Sequence, residues 1–231
     1  MLKNTLINRE ATKKVARALG DLNGEVVYVG GAMVSLYIDD PAAEDIRPTK
    51  DIDLTFQLTS FAKLEELREQ LIERGFTQKT EDNVNCRFSY EDLKVDVMST
   101  QTVGWAPSNP WFKVGFEKAL PITLDELTIK VLPLPYFLAT KMGAFFDRGI
   151  KDIYASHDLE DIAYLFNYTT DIDDRLINAN NEVNSYLTEK LKEIIENKTI
   201  ITAIRGSLYY EQADERMEVI LERIQNVINS N

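Results

Sequence analysis

Between Asp51 and Phe56 the chain alternates without a break: Asp51-Ile52-Asp53-Leu54-Thr55-Phe56. A period of two marks a β-strand with one buried face, because successive side chains leave a pleated backbone on opposite sides. Ile52, Leu54 and Phe56 therefore face a core. Asp51 and Asp53 project together from the other side, with Cα atoms roughly 7 Å apart. Two carboxylates fixed on one rigid surface can grip divalent cations together.

The flanking segments give that strand a context. Val26-Val27-Tyr28-Val29 reads as a buried strand and runs into Gly30-Gly31-Ala32. Such a glycine pair either makes a tight turn or lets the backbone approach a phosphate, with amide donors aimed at the anion where the next helix starts. Ala32 to Ile38 stands where a strand commonly feeds a helix, and the polar stretch from Asp39 to Lys50, with Pro41 and Pro48, reads as a loop. A third carboxylate comes from Leu93-Lys94-Val95-Asp96-Val97-Met98, where Leu93, Val95 and Val97 form the apolar face and Asp96 the opposite one. If the two acid-bearing strands are neighbours, three acids converge. Like charges ~5 Å apart at an effective dielectric near 20 repel by about 3 kcal/mol, so an unneutralised trio is a poor structural device and magnesium would reverse the sign.

Spacing by itself is weak support. With 38 acids among 231 residues, the acid-any-acid pattern arises by chance roughly six times. Asp171-Ile172-Asp173 is such a copy, but it follows Thr169-Thr170 and precedes Asp174-Arg175-Leu176-Ile177, which is the pattern of a capped helix start. The first copy differs through its glycine pair and its strand context.

Composition narrows the classes. A net charge of -12 argues against a large non-specific nucleic-acid surface, which depends on Lys and Arg displacing counterions. Any RNA partner needs a locally basic groove. Cys86 is the only cysteine, so an intrachain disulfide or thiolate-rich metal site is excluded, and Cys86 is expected to pack as a small apolar residue. The N-terminal ten residues lack a signal-peptide core and no apolar run approaches the ~20 residues of a membrane span, which points to a cytoplasmic protein.

Two lobes are expected, with a boundary near Leu132 to Pro135: residues 1–134 as a catalytic domain and 135–231 as a helical domain completing the cleft. Asn8 to Leu22 reads as a helix closed by Asn23-Gly24, and Leu64, Leu67, Leu71 and Ile72 mark a helix stopped by Gly75. Strands are expected at Asn85 to Tyr90 and Leu93 to Met98, joined by Glu91-Asp92, with further strand-like pieces at Lys113 to Phe116 and Leu127 to Leu132. Two amphipathic helices, through Leu187, Leu191 and Ile194 and through Met217, Ile220 and Ile224, pack on the helical lobe.

Several other side chains are candidates. Lys141 borders the stripe of Leu138, Met142 and Phe145, where it either reaches a phosphate or snorkels. Arg47, Lys50 and Arg148 are phosphate contacts or solvated cations. Ser156-His157-Asp158-Leu159-Glu160-Asp161 has the makings of a helix start with acids in its first turn. Trp105 and Trp111 bracket a stretch that reads as a packed loop or, alternatively, a base-stacking lid.

Together these residues resemble the nucleotidyltransferases of the DNA polymerase beta-like superfamily, and within it the AbiEii-type toxin branch. The resemblance rests on Val29-Gly30-Gly31-Ala32, Arg47-Pro48-Thr49-Lys50-Asp51-Ile52-Asp53-Leu54, Asp96, Leu138-Ala139-Thr140-Lys141 and Asp158-Leu159-Glu160-Asp161-Ile162. It implies an α/β (α+β) fold, a mixed-sheet core with flanking helices and a helical C-terminal lobe. It further implies magnesium or manganese, two ions, held by Asp51, Asp53 and Asp96, with Asp96 as base. Lys141 would steady the triphosphate and Asp158 or Asp161 would support the site; with Gly30, Gly31, Arg47, Lys50 and Arg148, read from the residues above, Lys141 makes up the candidate nucleotide-binding set. Many superfamily members carry Gly-Ser and a shorter spacer before the first acid, so this longer loop leaves the γ-phosphate contact and the nucleotide preference open.

The leading expectation is transfer of a nucleoside monophosphate from a nucleoside triphosphate to an acceptor hydroxyl, on RNA or on a small molecule such as an aminoglycoside. A cognate antitoxin is an expected partner and a membrane is not. The alternative is a nucleotide-binding regulatory module with little turnover.

Overall fold

A computed structural model describes residues 2–49, 51–78 and 85–230. The fold is mixed α/β, and the chain divides into two compact units. One comprises Met1–Ser35 with Asp45–Pro133, the other Leu36–Glu44 with Leu134–Asn231.

The first unit is built on a mixed sheet of β1 (Val26–Val29), β2 (Asp51–Phe56), β3 (Arg87–Tyr90), β4 (Leu93–Ser99), β5 (Leu120–Leu124) and β6 (Leu127–Val131). Among the described residues the strand order is β3-β4-β2-β1-β6-β5. β2 runs antiparallel to β1 and parallel to β4, β1 runs parallel to β6, and two hairpins, β3-β4 and β5-β6, form the sides. All four residues of β1 are buried, as expected of a central strand covered on both faces.

Helix α1 (Lys3–Leu19) buries Ala11, Val15, Ala16 and Leu19 at helical spacing. Leu2, at its N-cap position, offers no capping side chain. The carboxylate of Asp45 substitutes for it, accepting from the Asn4 and Thr5 amides at 2.7 and 3.2 Å. The helix ends at Gly20, with φ at +56°, rather than at Asn23-Gly24. The reason is that residues Gly20–Glu25 tighten into a 3-10 turn that carries Leu22 into the core, prolonging the apolar pattern beyond the α-helix.

Helix α2 (Phe61–Glu73) is capped by Ser60, whose hydroxyl accepts from Lys63 N–H, and closes at Gly75 with φ at +86°, as expected. Residues Lys113 to Phe116 are not a strand. They lie in α3 (Pro110–Glu117), started by the Asn109 side chain accepting from Trp111 N–H and by Pro110 in the first turn. Trp105 donates from Nε1 to Glu65 at 2.9 Å and its ring lies 5.8 Å from that of Phe88, so the tryptophan loop is packed.

The second unit is helical: α4 (Leu134–Asp147), α5 (His157–Tyr168), α6 (Ile172–Ile177), α7 (Asn181–Glu196), α8 (Lys198–Gly206) and α9 (Ala213–Asn229). α4 packs on α5 and α7, and α9 on α5 to α8. The apolar stripes of α7 and α9 are buried within the unit, as the periodicity indicates. Segment Leu36–Glu44 is fastened here through Tyr37, whose ring stacks on Phe137 at 4.6 Å, and through Asp40, paired with Arg216 at 3.3 Å. Among the described residues no helix is long and apolar enough to cross a membrane.

Candidate active site

Strand pairing settles whether the acids meet. In the parallel β2-β4 ladder Asp51 is opposite Lys94 and Asp53 opposite Asp96. Partners in register on neighbouring strands put their side chains on one face, with backbones about 4.8 Å apart. Asp53 and Asp96 are therefore neighbours across the sheet, and Asp51 shares their face two residues back along β2. Ile52, Leu54, Val95 and Val97 on the reverse face are buried.

The line continues past both carboxylates. In β1, Val29 is the register partner of Asp53, so Gly30 follows directly beside that acid. Gly30 has φ at +76°, a conformation that side chains with a Cβ rarely adopt. A Cβ there would stand 1.7 Å from Asp53 Oδ2 and 2.5 Å from its Cγ. Glycine is thus required twice over: for the backbone angle, and to leave space for the Asp53 carboxylate. Gly31 is buried and opens the 3-10 turn Gly31–Leu36, which stands where a helix start was expected.

On the other side the antiparallel β3-β4 ladder places Arg87 opposite Asp96. Its guanidinium makes a two-pronged ion pair: Nε donates to Asp96 Oδ1 and Nη2 to Asp96 Oδ2, both at 2.7 Å. Nη2 also lies 3.5 Å from Asp51 Oδ2. Side-chain exposure is 18% for Arg87, 16% for Asp96 and 40% for Asp51, so the arginine pair is sheltered while Asp51 opens to solvent. Among the described residues no group of three His, Cys, Asp or Glu side chains is disposed to hold a metal ion. The carboxylates of Asp51 and Asp53 nevertheless suit magnesium, a hard cation that takes one or two protein carboxylates and completes its octahedron with water and substrate phosphate.

Cys86, beside Arg87 in sequence, is buried, and burial followed by the nearby Asp96 charge pushes its thiol up to about 11. It is a packed thiol, as composition suggests. Arg47 is half-buried in the segment before β2, and Lys50 lies outside the described residues.

The second unit contains its own charged cluster. Lys141 on α4 is buried, with Nζ 2.7 Å from Asp161 Oδ2 and 3.2 Å from Asp158 Oδ1. Asp158 and Asp161 lie three residues apart on α5, hence on one face. Exposed Arg148 reaches Asp158 Oδ2 with Nε at 3.2 Å and Nη2 at 2.9 Å. Burial raises the Asp158 carboxyl, but Lys141 and Arg148 pull further the other way, so it is held below the usual carboxylate range. α5 begins as the sequence indicates, with Ser156 Oγ accepting from Leu159 N–H, and His157 pairs with Glu160 at 2.9 Å on the surface. Asp171 occupies the N-cap position of α6 but makes no capping bond, its carboxylate turning instead to Arg175 at 2.9 Å.

Sequence comparison now decides the lineage. Residues 17–225 match the family described as nucleotidyl transferase AbiEii toxin, type IV toxin-antitoxin system. The chain belongs to the AbiEii family. No curated protein matches it. Membership makes the protein a nucleotidyltransferase of the AbiEii toxin type. Arg87 was not among the residues singled out from sequence, although the Glu91-Asp92 turn between two strands fixes it opposite Asp96.

Proposed function

We propose that this protein moves a nucleoside monophosphate from a nucleoside triphosphate to a hydroxyl of an RNA acceptor, with a divalent cation held by Asp51 and Asp53 and with Asp96 as the third acid. The observation that supports this most is the register of Asp53 with Asp96 beside a glycine whose missing Cβ leaves room for the Asp53 carboxylate. The acceptor oxygen forms a bond to the α-phosphorus, the bond from that phosphorus to the bridging oxygen breaks, and pyrophosphate leaves. When bound, magnesium or manganese supplies charge neutralisation at the phosphates and activation of the attacking oxygen.

The chain's own residues set the geometry. Asp51 and Asp53 present hard oxygen donors from one strand, and Gly30-Gly31 give the polyphosphate a close backbone approach. The acceptor proton passes to a carboxylate of the same face. Asp96 takes that role once Arg87 has let go of it. Arg47 and Lys50, just before β2, are proposed phosphate contacts of the first unit. Within the second unit, taken by itself, Lys141 and Arg148 are proposed as phosphate-binding cations, with Asp158 and Asp161 orienting the lysine. A cognate antitoxin is proposed as the protein's partner, following the toxin-antitoxin description of its family.

The test uses triphosphates labelled at the α-phosphate, magnesium, and separate acceptor arms of transfer RNA, bulk RNA and an aminoglycoside. Label should pass to RNA with one pyrophosphate released per transfer, and Asp53→Asn should abolish both. Label on the aminoglycoside alone rejects the RNA acceptor, and pyrophosphate release that is unaffected by Asp53→Asn rejects the site.

A further inference from the structure

We infer that Arg87 is a built-in competitor for the divalent cation: its guanidinium holds Asp96 and reaches Asp51 while metal is absent, and gives up both acids when metal binds. This rests on the acid face being the metal site proposed above.

Three observations carry the inference. The pair is two-pronged and short, with both Asp96 oxygens engaged at 2.7 Å, a stronger arrangement than a single charged hydrogen bond. The same Nη2 lies 3.5 Å from Asp51 Oδ2, so one cation spans two of the three acids on this face. Finally, the contact is prescribed by the fold and not by a wandering surface side chain: Arg87 is the register partner of Asp96, which is the register partner of Asp53. With 18% and 16% of the two side chains exposed, solvent screens the pair less than an ordinary surface ion pair.

The consequence is a competition between cations. A monovalent guanidinium and a divalent metal cannot share Asp51 and Asp96 at full strength, because each repels the other at separations near 5 Å. Arg87 thereby does two jobs. It lowers the repulsion between Asp51 and Asp96 in the metal-free protein, and it raises the concentration of metal required to load the site.

Manganese binding to the full-length protein, read by the electron spin resonance signal of free Mn2+ and by calorimetry, tests this without reference to turnover. Arg87→Met should bind Mn2+ roughly tenfold tighter than the parent, because a like charge has been removed from beside the ion. Arg87→Lys keeps the charge but loses the fork, and should tighten binding by a smaller factor. Asp53→Asn, which removes an acid and leaves the Arg87 bonds intact, should weaken binding by roughly tenfold or more. If Asp53→Asn binds as the parent does, the acid face is not the metal site and the proposed function fails at its root. If Asp53→Asn weakens binding while Arg87→Met matches the parent within about twofold, the site stands and the competition is overturned. Should Arg87→Met not fold, as judged by circular dichroism, the lysine variant decides: parental affinity overturns the inference and a measurable gain supports it. A manganese-soaked crystal in which Arg87 still grips both Asp96 oxygens would likewise overturn it.

Discussion

Replacing Gly30 with alanine separates what the site needs from what the backbone needs. The added methyl carbon would stand 1.7 Å from Asp53 Oδ2 and 2.8 Å from its Cβ, where ordinary contact begins at 3.4 Å. The carboxylate must therefore double its distance from residue 30, a shift well beyond the ~1 Å misplacement that already costs about a hundredfold in rate. The φ of +76° adds a penalty of about 1–2 kcal/mol for a residue with a Cβ, and an off-rotamer Asp53 about another 1 kcal/mol. Gly20→Ala is the matched control, because Gly20 also has positive φ, at +56°, but a Cβ there meets nothing within 4 Å.

Both variants are measured by urea denaturation and by the initial rate of pyrophosphate release. Gly20→Ala should lose about 1–2 kcal/mol of stability and keep its rate. Gly30→Ala should lose about 2–3 kcal/mol and roughly two orders of magnitude in rate. If Gly30→Ala turns over within about threefold of the parent, the space beside Asp53 is not part of the active geometry and the reading of the row is wrong.

Two further predictions follow from buried charge. Lys141→Met removes the buried cation shared by Asp158 and Asp161, which are 10% and 2% exposed, and should destabilise the protein by about 3–5 kcal/mol in urea at neutral pH; a loss below about 1 kcal/mol would refute the reading of the cluster as a tight internal one. The Asp158 carboxyl is held below its ordinary value of 3.8, so its contribution is fully present above that value and disappears as pH falls through the folded one. The stability gap between the parent and Asp158→Asn should accordingly narrow below about pH 4, and a gap that stays constant from pH 7 to pH 3 contradicts the assignment. Cys86, with its thiol pushed to about 11, should have about a hundredfold less thiolate at pH 8 than an ordinary cysteine. Alkylation by iodoacetamide should be correspondingly slow until urea is added, and equal rates in folded and unfolded protein would rule out the buried environment.

What could be read from sequence was what shows as a period. β1, β2, β4 and the helices around Leu64, Leu187 and Met217 each carry a clear apolar repeat, and the structure puts an element at each. β5 was missed because Leu120 and Pro121 are exposed and only Leu124 is buried; a strand with almost no buried face leaves no alternation to detect. The Lys113 to Phe116 window failed for the opposite reason. Lys113-Val114-Gly115-Phe116 mimics a two-residue period, whereas the informative signal lay just upstream in Asn109-Pro110, a cap followed by a first-turn proline. Local start signals outrank periodicity in a window of four residues.

Arg87 shows that a site residue can be legible in a sequence and still be overlooked. The expected strands on either side of Glu91-Asp92 make a two-residue hairpin, and Tyr90 does pair with Leu93. Counting three residues outward along each strand puts Arg87 against Asp96 with no further information, and an arginine directly across from an acid is a pairing the sheet favours. Charge balance shows why that matters. Carboxylates on one face repel by about 3 kcal/mol per close pair, so a protein that folds before it meets metal gains from counter-charges there; strand register brings Lys94 opposite Asp51 and Arg87 opposite Asp96, and it is Arg87 that grips both Asp96 oxygens.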